Sequence, residues 1–252
     1  MPELQVPFER HGVARGGKSV YGAALGILML DARFARIPGD MGNALTWPFP
    51  VLYRIVPDAT PKRVVQESAA GLLPAFTLAA RELVQLGAEA ITTNCGFLSL
   101  FQRELADAVN VPVATSSLLQ VTAVQAVLPP GRRAGVITID SSTLSDAHLR
   151  AAGVPLDTPR AGVESGRELH RVLVRGEKTD LDVALAEQDV LDAGRRLMRA
   201  HPGVGAIVLE CTNMPPYAAA LQAELGVPVY DVYSLIAWFH AGLRPRTFSP
   251  RS

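Results

Sequence analysis

The sequence predicts an α/β protein built as two similar lobes with parallel sheets, related by a pseudo-two-fold axis, with a site in the cleft between them. The first sign is alternation: short β-rich apolar runs are separated by longer Ala- and Leu-rich helical patterns, as in α/β units around a parallel sheet. The second is an internal repeat. Shifting the chain by 116 positions lays residues 87–91 on 203–207, Cys95 on Cys211, and Val111-Pro112-Val113 on Val227-Pro228-Val229, without a gap. The third is an echo at another offset, which joins Gly26-Ile27-Leu28 to Gly135-Val136-Ile137, the first strand of each lobe. A chain of 252 residues, 48% apolar and 19% charged, is long enough for one large domain or two small lobes.

Residues 1–19 are polar and Gly-rich and read as an N-terminal extension with little order of its own. The apolar run from Val20 to Leu30 faintly imitates a secretion signal, but glycines interrupt it and Asp31 and Arg33 close it, so it reads as the first core strand. Strands are expected at 26–30, 52–56, 90–93, 111–114, 133–139, 205–209 and 227–231. Helices are expected at 60–86, broken near Pro74, and at 98–109, 117–128, 144–152, 180–200, 216–225 and 234–241. Thr179 or Asp180 can cap one of these, and the Ser/Thr run 142–145 another. Residues 20–118 with 234–252 are assigned to the first lobe and 119–233 to the second.

Composition narrows the function. Lys plus Arg equals Asp plus Glu at 24 each, so no net field draws the protein to nucleic acid or an anionic membrane, and neither is expected as a partner. No run approaches the roughly 18 apolar residues of a membrane span, and a cytoplasmic location is the expectation. There is no P-loop, no dinucleotide fingerprint in its proper context and no metal-ligand cluster, so neither cofactor nor metal is expected. The Gly-rich segment 12–17 precedes the first strand instead of following it.

Attention falls on the two cysteines. Each ends an apolar strand, in TTNCGF and LECTNMPPY, and strand ends with the helix starts after them line the crevice of an α/β sheet. A single cysteine at a strand end is as readily a buried apolar filler. Two at matching repeat positions, beside Asn94, Thr212 and Asn213, point to chemistry: one thiol from each side of a shared cleft takes a proton from one face of a carbon and returns one to the other. Helix N-termini after both cysteines are expected to favour the thiolate and to hold a substrate carboxylate. A disulfide is not indicated, and no histidine is an obvious partner for a cysteine hydrolase. Glu210, beside Cys211, either orients a ligand amine or is structural; Asp40 and the run Asp140-Ser141-Ser142-Thr143 divide the same way, and 47–50 is a lid or core. Arg33, Arg36 and Arg54 are the cations available for a carboxylate.

These cysteine segments, together with IPGDMGNALT, resemble the aspartate/glutamate racemase superfamily from about Ala24 to His240. The resemblance implies a cofactor-independent racemase or epimerase of an amino acid or related carboxylate, with Cys95 and Cys211 as acid and base. It further implies polar substrate contacts at Asp40, Asn43, Asn94, Gly96, Thr115, Ser116, Ser117, Thr212 and Asn213, and a homodimer by analogy. Two positions depart from the family pattern: Asn213 stands where many members have His or Glu, and Gly96 where Asn-Thr is more usual. Relatives in the superfamily extend the same cleft to hydantoin racemisation, malonate-type decarboxylation and maleate-type isomerisation. A carboxylate-binding protein without turnover is the remaining alternative.

Overall fold

A computed structural model describes residue 13 and residues 15–248; most of the N-terminal extension therefore lies outside the described residues. Among the described residues, eight strands form two parallel four-stranded sheets. The first contains β1 (Leu25–Leu30), β2 (Val51–Val56), β3 (Ala90–Thr93) and β4 (Val113–Ala114) in the order β2-β1-β3-β4. The second contains β5 (Arg133–Thr138), β6 (Arg160–Gly162), β7 (Val204–Leu209) and β8 (Val229–Tyr230) in the order β6-β5-β7-β8. Each sheet thus runs second, first, third, fourth, so the sequence repeat is also a repeat of topology. It extends to register: Ile91 pairs with Val113, and Ile207 with Val229, each 116 residues further on. Asn94 N donates to Leu28 O at 2.9 Å, and Glu210 N donates to Ile137 O at 2.8 Å, so the weaker echo between first strands is also structural.

The central strands explain their own placement. All six residues of β1 are buried, as an apolar strand with helices over both faces of its sheet must be. Nine helices among the described residues supply those layers: α1 (Pro61–Val65), α2 (Leu73–Leu86), α3 (Gln102–Ala108), α4 (Val121–Val127), α5 (Asp146–Ala151), α6 (Leu169–Leu173), α7 (Val183–Ala200), α8 (Ala218–Leu225) and α9 (Val232–Leu243). On α7 the residues Ala186, Val190, Ala193 and Leu197 recur at helical spacing and are buried. Its cap is Asp182, which accepts from Leu185 N at 3.0 Å, a few residues past the expected Thr179 or Asp180. Asp231 and Ser234 form a reciprocal capping box that starts α9. This last helix packs Val232, Leu235 and Ile236 with Leu25 and Ile27, returning the chain to the first sheet.

Two local differences from the sequence reading have physical causes. The break in the 60–86 helix comes before Pro74, where Ser68, Ala69 and Gly71 take positive φ; Pro74 itself sits in the first turn of α2, where its missing N–H does no harm. The edge strand β6 and the one-turn helix α6 are too short to carry a periodic signal. Of the two readings open for 47–50, Trp47 takes the core one: it is buried and stacks on Phe49 and on Tyr233, with ring centroids 5.8 Å apart in both pairs, while Pro48 and Pro50 are exposed. No helix among the described residues is long and apolar enough to cross a membrane.

Candidate active site

The repeat delivers the two cysteines to one place. β3 ends at Thr93 and β7 at Leu209; in each copy one polar residue intervenes, Asn94 or Glu210, and the thiol follows. Cys95 and Cys211 line a single cavity together with Asn94, Gly96, Arg36, Glu210, Thr212 and Asn213, and its remaining wall is mostly apolar, including Leu30, Phe34, Phe97, Ile139 and Leu173. The space that a water molecule can reach inside it is only about 30 Å³.

Hydrogen bonds across the lobes fix this arrangement. Thr212 Oγ1 donates to Asn94 O at 2.6 Å, and Ser117 Oγ donates to Leu209 O at 2.6 Å. Ser99 Oγ donates to His148 O at 3.2 Å, tying the turn after Cys95 to α5. Both sulfurs meet the backbone in the same way, with the Phe97 amide against Cys95 and the Asn213 amide against Cys211, two residues on in each copy.

Those amides do not make resting thiolates. Burial is the largest influence on both cysteines and pushes the thiols up; the Glu210 carboxylate adds to it, and the amides recover only part of the shift. This reverses the sequence expectation, for two reasons: the segments that follow are 3₁₀ turns, Gly96–Phe101 and Pro215–Tyr217, and the sulfurs line a narrow cavity with a largely apolar wall. Cys95 and Cys211 therefore rest as neutral thiols, and the base form has to arise in the presence of substrate.

Glu210, for which the sequence left a ligand-orienting and a structural role open, lines the cavity. It is fully buried, Oε2 accepts from Thr138 Oγ1 at 2.6 Å, and Oε1 has no partner. Burial raises its carboxyl to about 7, against the Thr138 hydroxyl and the Ile139 amide, which favour the charged form. Gly96 makes room for it. A Cβ at Gly96 would touch Oε1 and stand 2.5 Å from the Glu210 carbonyl oxygen.

Of the residues the resemblance singled out, Asn94, Gly96, Thr212 and Asn213 join the two cysteines in the cavity, and five do not line it. Asp40 is buried, accepts from Arg36 Nη1 at 2.9 Å and Gly42 N at 2.7 Å, and receives the Asn213 amide. It anchors the first loop to the segment after Cys211. Asn43 caps a 3₁₀ turn by accepting from Leu45 N at 2.9 Å. Thr115 donates to Gln102 Oε1 at 2.7 Å, Ser116 caps the next turn, and Ser117 makes the cross-lobe bond already described. Asp140 accepts from Ser142 and Thr143 and pairs with His170 Nε2 at 3.0 Å, also away from the cavity. Arg36 is the one cationic side chain of the three considered that reaches the site; Arg33 is exposed, and Arg54 pairs with Glu82. Its arrival depends on loop packing, which no local spacing announces.

Two buried groups give opposite pH dependences. His148 is buried beside Phe97, its Nδ1 accepts from Ser145 N at 3.1 Å, and burial lowers its pKa from 6.5 to about 4. Between those values the unfolded chain binds more protons, so stability is lost as pH falls from 6.5 to 4, by about 3 kcal/mol. Glu210, raised from 4.5 to about 7, binds more protons when folded and works the other way, its stability being lost as pH rises through that window. Urea unfolding of the wild-type protein from pH 4.5 to 6.5 is therefore expected to be nearly flat in these two contributions. Glu210→Gln should make stability rise with pH, and His148→Gln should make it fall; parallel curves for all three proteins would contradict the assignment.

The geometry defines an α/β enzyme fold with a thiol pair across one cavity, and the family follows: the chain belongs to the Asp/Glu/Hydantoin racemase family, whose model matches residues 79–239. In sequence it is similar to a dimethylsulfoniopropionate lyase of Durusdinium sp. clade D, 26% identical over 228 residues, covering 87% of this chain and 75% of that protein. Dimethylsulfoniopropionate lyase 3 of Emiliania huxleyi (strain CCMP1516) is 28% identical over 224 residues, 82% of this chain, which spans only 56% of that relative. In structure the chain matches unliganded arylmalonate decarboxylase with a TM-score of 0.56 at 17% identity, covering 91% of this chain and 95% of that one. It also matches glutamate racemase isoform RacE1 from Bacillus anthracis with a TM-score of 0.56 at 18% identity, covering 88% of this chain and 83% of that one. These likenesses to solved structures show the shared fold.

Proposed function

We propose that this protein is a cofactor-independent enzyme that removes the proton from the carbon next to a carboxylate, with Cys95 and Cys211 as the acid–base pair. One observation carries the reading: two repeat-equivalent thiols line one narrow cavity. The substrate carboxylate is assigned to the Gly96 N–H, which opens the turn after Cys95, and to Arg36, whose Nη1 is engaged by Asp40. A cavity of about 30 Å³ holds no more than two or three waters, so the walls have to part for entry and close again over the substrate.

The fate of the carbanion separates two readings. The first is elimination, favoured by the sequence relatives. A thiolate takes the α-proton of a sulfonium zwitterion such as dimethylsulfoniopropionate, the electron pair forms the α–β double bond, and the C–S bond breaks. Dimethyl sulfide and acrylate leave, and the proton stays on the cysteine. The second is racemisation or epimerisation, favoured by the thiol pair itself, since returning a proton to the opposite face needs a second acid and elimination does not. NMR in deuterium oxide on a panel of sulfonium and amino-acid zwitterions, hydantoins and substituted malonates tells them apart. Elimination gives acrylate and dimethyl sulfide from the sulfonium substrate, whereas racemisation places one deuterium on the α-carbon of both enantiomers of a chiral substrate. Binding without exchange or turnover for the whole panel would contradict both.

A further inference from the structure

The two halves of the site are equivalent in backbone and unequal in charge. Asn94 and Glu210 are repeat mates, and so are Gly96 and Thr212. In the first copy Asn94 Oδ1 accepts from Leu30 N at 2.7 Å, and Thr212 closes over the Asn94 carbonyl at 2.6 Å. In the second copy Glu210 meets the matching amide, that of Ile139, but its other oxygen is left over, and the residue that closes over it is Gly96, with no side chain at all. A threonine at 96, as at 212, would collide with Glu210. Asparagine and threonine on one side are thus exchanged for glutamate and glycine on the other. The net result is one carboxylate in the wall between the thiols.

A fully buried carboxylate is costly to keep charged unless an opposite charge comes to lie beside it. Arg36 does not, because its guanidinium is paired with Asp40 and lies over the Phe34 ring, 4.4 Å from its centroid. We infer that Glu210 is the counter-ion for a positively charged group on the substrate, and that this group is an alkylated cation, a sulfonium or quaternary ammonium. The inference rests on the reading of the site as one for proton removal next to a carboxylate. Chemistry selects the alkylated cation. A primary ammonium brings three N–H donors, and of the two side-chain groups beside the thiols only Glu210 Oε1 is wholly unpaired, since Asn94 Oδ1 and Glu210 Oε2 are already engaged; the remaining wall is mostly aliphatic or aromatic and meets no further donor. An alkylated cation carries the charge with no donor to satisfy, and its methyl groups suit Leu30, Phe34, Phe97 and Ile139. The thiols then face the carbon between cation and carboxylate.

Calorimetric titration at pH 8 tests this with three acids of matched length: 3-(trimethylammonio)propionate, its neutral isostere 4,4-dimethylpentanoate, and 3-aminopropionate. The wild-type protein should bind the quaternary compound at least about tenfold more tightly than either other acid. Glu210→Gln, and Glu210→Asn, which copies Asn94, should bring the quaternary and neutral compounds within about twofold of each other, and Glu210→Asp should keep most of the preference. A wild-type preference that survives in both neutral variants, or tighter binding of 3-aminopropionate, would overturn the assignment. Deuterium exchange at the α-carbon by the wild-type protein is read separately. The absence of both exchange and elimination product on every zwitterion would refute the proton-removal reading even with the binding preference intact, while either of them without the preference would refute the role of Glu210 alone.

Discussion

Cys95→Ser and Cys211→Ser are each expected to fold normally, and at least one of them to lose about 10² to 10⁴-fold in kcat, the range that acid–base catalysis contributes. Serine fits the space of cysteine, and the amides at Phe97 and Asn213 can donate to an oxygen as they do to sulfur, so the cavity walls are kept. What is lost is the only group of suitable acidity at that position. The pattern over the two variants is as informative as its size. Racemisation needs both thiols, and both variants should be inactive. Elimination needs one base, so one variant should be inactive while the other keeps much of its turnover and so identifies the face that is deprotonated. Near-normal kcat in both variants on the true substrate would dismiss the thiol pair. Thermal unfolding checks that the loss is chemical, with midpoints expected within a few degrees of wild type.

Gly96→Thr is expected to be nearly as damaging by a different route. Residue 96 faces the Glu210 carbonyl and carboxylate, where even one carbon is too close. Overpacking of this kind costs about 1–3 kcal/mol of stability, and here it also displaces the turn that holds Cys95, so activity should fall about 10²-fold or more. The double variant Gly96→Thr with Glu210→Asn rebuilds in the second half of the site the pairing found in the first. It should recover much of the stability lost by Gly96→Thr alone without regaining a preference for cations. If the two changes simply added, the two residues would not be coupled as the structure implies.

The fold was legible because it is written twice. The 116-residue offset that aligns Cys95 with Cys211 also aligns the strand register of Ile91–Val113 with that of Ile207–Val229, so one pattern carries both the architecture and the meeting of the thiols. Short elements escaped, because β6 and α6 hold too few residues to show a period. The cavity was only partly legible. Asn94, Gly96, Thr212 and Asn213 adjoin the cysteines in sequence and travel with them into the site. Asp40, Asn43, Thr115, Ser116 and Ser117 lie on nearby loops whose side chains turn to capping and cross-lobe bonds instead, a choice decided by tertiary packing. Glu210 had a signal that went unused: the repeat that pairs the cysteines also pairs it with Asn94, and Gly96 with Thr212, and a glutamate gained opposite a side chain lost marks a carboxylate that has been given room. The acidity of the thiols was not legible, since dipole and burial act in opposite directions and only the packing around the two sulfurs decides for burial.

The most direct measurement is a crystal structure of the wild-type protein with 3-(trimethylammonio)propionate, whose amine is a poor leaving group. The α-carbon should lie between the two sulfurs, each within about 4 Å and on opposite faces, with the quaternary nitrogen toward Glu210. A ligand that touches one sulfur only, or two sulfurs on the same face of that carbon, would contradict the account.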